Sequence, residues 1–115
     1  MAEETIFEKI LAKKIPSESV YEDDDVYAFK DIEPQAPTHV LVIPKRKIER
    51  FQHLKRTDPA EAGTFFAKVA LVAEKLGLEP DGYRVVINNG KYGQQSVEYM
   101  HAHILGGRQM TWPPG

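Results

Sequence analysis

The stretch Ser96-Val97-Glu98-Tyr99-Met100-His101-Ala102-His103-Ile104-Leu105-Gly106-Gly107-Arg108 constrains this chain more than any other. A strand sends alternate side chains to opposite faces, so the spacing predicts Val97, Tyr99, His101, His103 and Leu105 on one face and Glu98, Met100, Ala102 and Ile104 on the other. The two imidazoles then point the same way, ~6.6 Å apart along the strand. The apolar side chains opposite them are suited to a core, and Gly106-Gly107 marks a turn or a close approach of another group. Spacing alone leaves three readings open. The histidines are half-exposed polar residues, or neutral zinc ligands, or a nucleophile beside a ring that hydrogen-bonds the group under attack.

Other parts of the chain narrow the class. A length of 115 residues implies one domain, 1–115, with enough exposed surface that a homodimer is a natural expectation. The net charge of -2 argues against a nucleic-acid partner, and Lys45-Arg46-Lys47 is read as a solvated loop. No cysteine is present, which removes disulfides and thiolate metal sites. No apolar run resembles a signal peptide or reaches the ~18 residues of a membrane span, so a cytoplasmic protein is expected, with a nuclear location also open.

In chain order, Ile6, Phe7, Ile10 and Leu11 form an apolar stripe within a short helix predicted over Glu3 to Lys14 and stopped by Pro16. Val20-Tyr21-Glu22 and Val26-Tyr27-Ala28-Phe29 read as a β-hairpin around Asp23-Asp24-Asp25, a polar turn rather than a cation site. A loop restricted by Pro34 and Pro37 leads into Thr38 to Pro44, a strand buried on both faces. Asp58-Pro59-Ala60-Glu61 is a strong helix start, and Ala62, Phe65, Phe66, Val69, Val72, Ala73 and Leu76 recur at helical spacing up to a glycine cap at Gly77. Tyr83 to Ile87 reads as a further strand. Asn88 to Gln95 is a polar loop that brings Asn88 and Ser96 towards the histidines, if the strands it joins are antiparallel neighbours.

The run His101 to Arg108, the tail Gln109-Met110-Thr111-Trp112-Pro113-Pro114-Gly115, the loop Pro34-Gln35-Ala36-Pro37-Thr38-His39 and the pieces Asp31-Ile32, Leu41-Val42-Ile43-Pro44 and Gln95-Ser96-Val97 together resemble the histidine-triad (HIT) superfamily. Within it they resemble the Hint branch, the histidine triad nucleotide-binding, protein kinase C inhibitor-like proteins. The resemblance implies an α+β fold: an antiparallel sheet of about five strands with one long and one short helix, the sheet continued across a homodimer and the tail 109–115 at the interface. It also implies a purine nucleoside phosphoramidase acting on adenosine or guanosine 5'-monophosphoramidates, with no cofactor and no metal. In that scheme His101 is the nucleophile that forms a nucleotidyl-histidine intermediate, its second nitrogen donating to a backbone carbonyl. His103 stabilises charge on the phosphate oxygens, Ser96 assists the leaving amine, and His39 backs the nucleophile's side of the site. Asp31 binds the ribose, Asn88 the phosphate region, and Phe7, Ile10, Ile15, Phe29 and Ile32 wall the base pocket. Gln94, Gln95 and Ala102 complete the implied nucleotide contacts.

Two positions depart from the family pattern. Tyr99 replaces the first histidine of the triad and cannot supply a neutral acceptor nitrogen. Gln94 stands where glycine is common, after an unusual Lys91-Tyr92, which bears on substrate preference. The alternatives are a nucleotide-binding regulatory adaptor with weak turnover, a dinucleoside polyphosphate hydrolase of the related Fhit branch, and a zinc site built from His39, His101 and His103.

Overall fold

The computed structural model describes residues 3–115. Helix α1 (Ile6–Leu11) precedes strands β1 (Ser19–Glu22), β2 (Val26–Lys30) and β3 (Thr38–Pro44). A 3-10 turn (Phe51–Arg56), the long helix α2 (Pro59–Lys75), β4 (Arg84–Ile87) and β5 (Ala102–Gly106) follow. The five strands pair antiparallel in the order β1-β2-β3-β5-β4. This is the α+β architecture expected, with one long helix and one short.

Local chemistry sets the element boundaries. Thr5 and Glu8 form a reciprocal capping box that starts α1. The helix ends at Leu11, earlier than Pro16 demands, because Lys13 takes a left-handed conformation (φ 61°). Lys14 N–H then donates to Lys9 C=O and Lys13 N–H to Ile10 C=O, closing a Schellman turn. Asp58 caps α2 by accepting from Ala60 N–H at 2.9 Å, and Gly77 (φ 75°) ends the helix in a second turn of the same kind. Phe66 departs from the expected buried stripe and stays 40% exposed, while Phe65, Val69, Val72 and Ala73 face the sheet. The acidic turn behaves as a turn: Asp23 Oδ1 accepts from the N–H groups of Asp25 and Val26, and its other oxygen pairs with Lys68 of α2. Each basic side chain of the Lys45-Arg46-Lys47 loop has a carboxylate partner, Glu22, Glu61 and Glu8 respectively.

The histidine strand is shorter than its alternation predicts, since it begins at Ala102 and leaves His101 at its threshold. Continuing the β3–β5 register would set Met100 opposite Pro44, which has no N–H to give to the ladder. Met100 N–H donates to Ile48 C=O instead, and the Tyr99 hydroxyl donates to Pro44 C=O. The two-residue alternation survives the loss of pairing. Tyr99 and His101 lie on the α1 side of the sheet, whereas Met100, Ala102 and Ile104 are buried with α2. Gly107 has φ 91° beneath Pro37, which calls for glycine, and a Cβ on Gly106 would press on the Leu78 side chain at 2.7 Å.

Two apolar clusters flank the sheet. Val26, Ala28, Val40, Val42, Ala102 and Ile104 pack against Phe65, Val69, Val72 and Ala73 of α2. On the opposite face Tyr27, Phe29, Leu41, Ile43 and Tyr99 pack with Phe7 and Ile10 of α1. The second cluster forms the floor of a cleft.

Candidate active site

The cleft has a volume of about 670 Å³, in the range of small-molecule sites. Its lining brings together His39, His101 and His103 with Asp31, Ser96 and Gln94, and adds Phe7, Ile10, Ile15, Phe29 and Ile32 as apolar wall. Ile32 is 92% exposed and stands at the rim, whereas Phe7 and Phe29 are buried at the base.

Hydrogen bonds assign a tautomer to each imidazole. His101 Nδ1 lies 2.7 Å from Tyr99 C=O, which can only accept, so Nδ1 carries the proton and Nε2 keeps a lone pair. His101 is 3% exposed, and the edge of the Phe7 ring, 4.9 Å away between centroids, fixes its plane. His39 Nδ1 accepts from Gln35 N–H at 3.0 Å, so the His39 proton sits on Nε2. That proton is donated to His103 Nδ1, 2.8 Å away, with Asp31 Oδ2 also 3.4 Å from the same nitrogen. His103 must then carry its own proton on Nε2, as a donor. The site thus sets a lone pair on His101 next to an N–H donor on His103, with ring centroids 5.0 Å apart.

Burial keeps these rings neutral. It pushes the pKa of His103 down to about 4, with help from His101 and His39. Burial lowers His101 too, against the opposing bond to Tyr99 C=O. His39 falls by burial, opposed by the Asp31 carboxylate. A neutral imidazole is the form with a free lone pair, and burial favours that form in all three rings.

The structure places several of the expected site residues away from the cleft or against other partners than expected. His39 braces His103, not the nucleophile's side. Asn88 is outside the cleft lining and spends its amide on Gly93 C=O at 2.6 Å, tightening its loop. Gln95 is also a structural brace, accepting from Gly90 N–H and donating to the carbonyls of Glu49 and Val97. Ala102 is fully buried against α2. Tyr99 turns its hydroxyl away to the end of β3 and contributes its carbonyl to His101, so the first triad position supports the site through its backbone. The contribution of Gln35 N–H escaped sequence reasoning, because a main-chain donor leaves no residue-type signal. For a metal, the geometry replaces His101 with Asp31: among the described residues, Asp31, His39 and His103 offer ligand atoms within 4.8 Å of one another.

A five-stranded antiparallel sheet with three imidazoles gathered where its third and fifth strands meet defines a class of proteins with a histidine-based site. The chain belongs to the HIT domain family, whose pattern it matches over residues 12–110. It is 54% identical to the 14 kDa zinc-binding protein of Zea mays over 114 residues, covering 96% of this chain and 88% of that one. A HIT family hydrolase from Legionella pneumophila superposes with a TM-score of 0.91 at 43% identity, covering 97% and 100% of the two chains. The histidine triad nucleotide-binding protein of Candida albicans does so with a TM-score of 0.79 at 30% identity, covering 96% and 83%.

Proposed function

We propose that the chain is a hydrolase of purine nucleoside 5'-phosphoramidates, working through a nucleotidyl-histidine intermediate. The observation that carries this reading is the opposed tautomer pair, a lone pair on His101 Nε2 beside an N–H on His103 Nε2. In the first step His101 Nε2 attacks the α-phosphorus, the phosphorus–nitrogen bond to the amine breaks, and the amine leaves with a proton that solvent water supplies through the Ser96 hydroxyl, water in the second step returning one to solvent. The ring gains positive charge, which the Tyr99 carbonyl stabilises through Nδ1–H. His103 donates to a non-bridging oxygen throughout. Water then displaces the imidazole and releases the nucleoside monophosphate. Asp31 accepts from the ribose hydroxyls, and the base lies between Phe29, Ile10 and the exposed Ile32. At the coarser level of a hydrolase, the reading is supported by the Legionella pneumophila relative.

A homodimer belongs to the same reading. Strand β4 is an edge of the sheet with Val85 40% exposed. The tail lies beside it: Arg84 donates to Thr111 C=O and stands 5.9 Å above the ring of Trp112, which is 81% exposed. Pairing two β4 edges would cover this surface and carry each tail towards the other subunit.

A second reading, zinc binding, is favoured by the Asp31, His39 and His103 cluster and by the name of the maize relative. Two nitrogens on one tetrahedral zinc stand about 3.4 Å apart, so His39 and His103 would have to separate from their present 2.8 Å and lose the proton they share. The deciding experiment is steady-state hydrolysis of adenosine 5'-phosphoramidate by wild type and His101→Asn, each in chelator. Turnover by the wild type alone supports metal-free nucleophilic catalysis. Activity lost in chelator and restored by zinc would select the second reading, and AMP binding without turnover would select a nucleotide-responsive adaptor.

A further inference from the structure

One proton stands between two acceptors in the wall of the cleft. His39 Nε2–H faces His103 Nδ1 at 2.8 Å and Asp31 Oδ2 at 3.4 Å. Its other ring nitrogen is committed to Gln35 N–H, so the ring cannot flip its tautomer to serve both. Asp31 Oδ1 accepts from Glu33 N–H at 2.9 Å, which fixes the carboxylate and leaves Oδ2 as the oxygen turned to His39. The His39 side chain is 4% exposed and that of Asp31 is 19% exposed, so their interaction is screened less than a surface pair. The same carboxylate lines the cleft as the candidate ribose acceptor.

We propose that Asp31 and His39 couple recognition of the ribose hydroxyls to the hydrogen-bond state of His103, so that the sugar acts on the rate of the chemical step as well as on binding. The proposal rests on the phosphoramidase reading and deepens it. In the free protein Asp31 competes with His103 for the His39 proton. When a ribose diol donates to Asp31, the carboxylate's charge is engaged and the competition ends. The His39 N–H then belongs wholly to His103 Nδ1, and His103 is locked with its proton on Nε2, aimed at the phosphate oxygens. No proton needs to leave the site, since one hydrogen bond strengthens as another weakens. A 2'-deoxy substrate leaves the competition partly in place. Asp31 and His39 are positioning residues here, because both act through His103.

The test compares adenosine and 2'-deoxyadenosine 5'-phosphoramidates on wild type, Asp31→Ala and His39→Gln. Long-range proton–nitrogen NMR of the imidazoles accompanies it during titration with AMP or 2'-deoxy-AMP. The wild type should show a ribose advantage in kcat of about tenfold, the weight of one hydrogen bond to a charged group, in addition to any KM difference. In Asp31→Ala the kcat advantage should collapse towards one whatever happens to KM. His39→Gln, whose amide can accept from Gln35 N–H and donate to His103, should lose the same kcat advantage whatever its overall turnover. In the wild type, AMP should sharpen the His103 Nε2–H signature more than 2'-deoxy-AMP does. A ribose preference confined to KM, or identical His103 signatures with the two nucleotides, would overturn the coupling. Absence of turnover with either substrate would overturn the functional reading, and the titration alone would then decide the coupling.

Discussion

Strands β3 and β5 have two faces that share a backbone and differ in everything their side chains do. On one face Val40 stands opposite Ile104 and Val42 opposite Ala102, all nearly or fully buried beneath α2. On the other, His39 stands opposite Leu105 and Leu41 opposite His103, and His39, Leu41 and His103 line the cleft. The face under α2 is held by burial alone, which is non-directional, while the cleft face adds to its own buried cluster a chain of directed hydrogen bonds from Gln35 through His39 to His103. The difference teaches that the packed face sets the register on which the chemistry depends, since a slip of one residue would exchange the two.

The two faces part most sharply at His101, the proposed nucleophile. His101→Ala should lower kcat by about a thousandfold or more while leaving thermal stability within a few degrees of wild type, measured by hydrolysis and calorimetry on the same sample. Retained turnover would move the nucleophile elsewhere. On the opposite face the pattern reverses: Ile104→Ala should cost about 3 kcal/mol of stability in denaturant unfolding, while kcat per folded molecule stays within about threefold. A large kcat loss in a fully folded Ile104 variant would show that the two faces are not separable.

Acid should affect both faces through the imidazoles. Burial holds the pKa of His103 down to about 4 in the folded chain, below the ordinary histidine value of 6.5, so the unfolded chain binds its proton first. The stability that neutral His103 carries is therefore complete above pH 6.5 and declines as the pH falls from 6.5 towards 4. Unfolding followed at several pH values should show that decline, and His103→Gln should flatten it. A slope that persists unchanged in the variant would place its origin elsewhere. The smallest effect belongs to Tyr99→Phe, which removes a buried donor from Pro44 C=O and keeps the backbone carbonyl that holds His101. A loss of about 1 kcal/mol with near-normal kcat is expected. A collapse of kcat would give the phenol itself a part in catalysis.

Much of the apolar face was legible from the chain. Helical periodicity with Asp58, Pro59 and Gly77 at its ends marked α2, and the continuous run Val40 to Ile43 announced a strand buried on both faces. The alternation of histidines with Met100, Ala102 and Ile104 named the two faces correctly even where strand pairing stops. That stop was hidden because it depends on Pro44, a residue distant in sequence but next in register. At the site, the family resemblance and the histidine spacing pointed to Asp31, Ser96, His101 and His103, all of which line the cleft. They named Asn88 and Gln95 too, which stand outside the cleft lining with amides bound to Gly93 and Gly90, partners set by how the polar loop closes on itself. They also set His39 against the wrong imidazole, since the β3–β5 register alone decides which ring it meets.

The most direct test of the account is to catch the bond it says His101 makes. Wild type mixed with adenosine 5'-phosphoramidate, quenched in base where a phosphorus–nitrogen bond survives, would be digested and its peptides sequenced by mass spectrometry. The account predicts an adenylyl group on His101, absent in His101→Asn and increased when water attack is slowed by a poorer second step. Turnover in the wild type with no adduct at any time, or an adduct on His103 or His39, would contradict it.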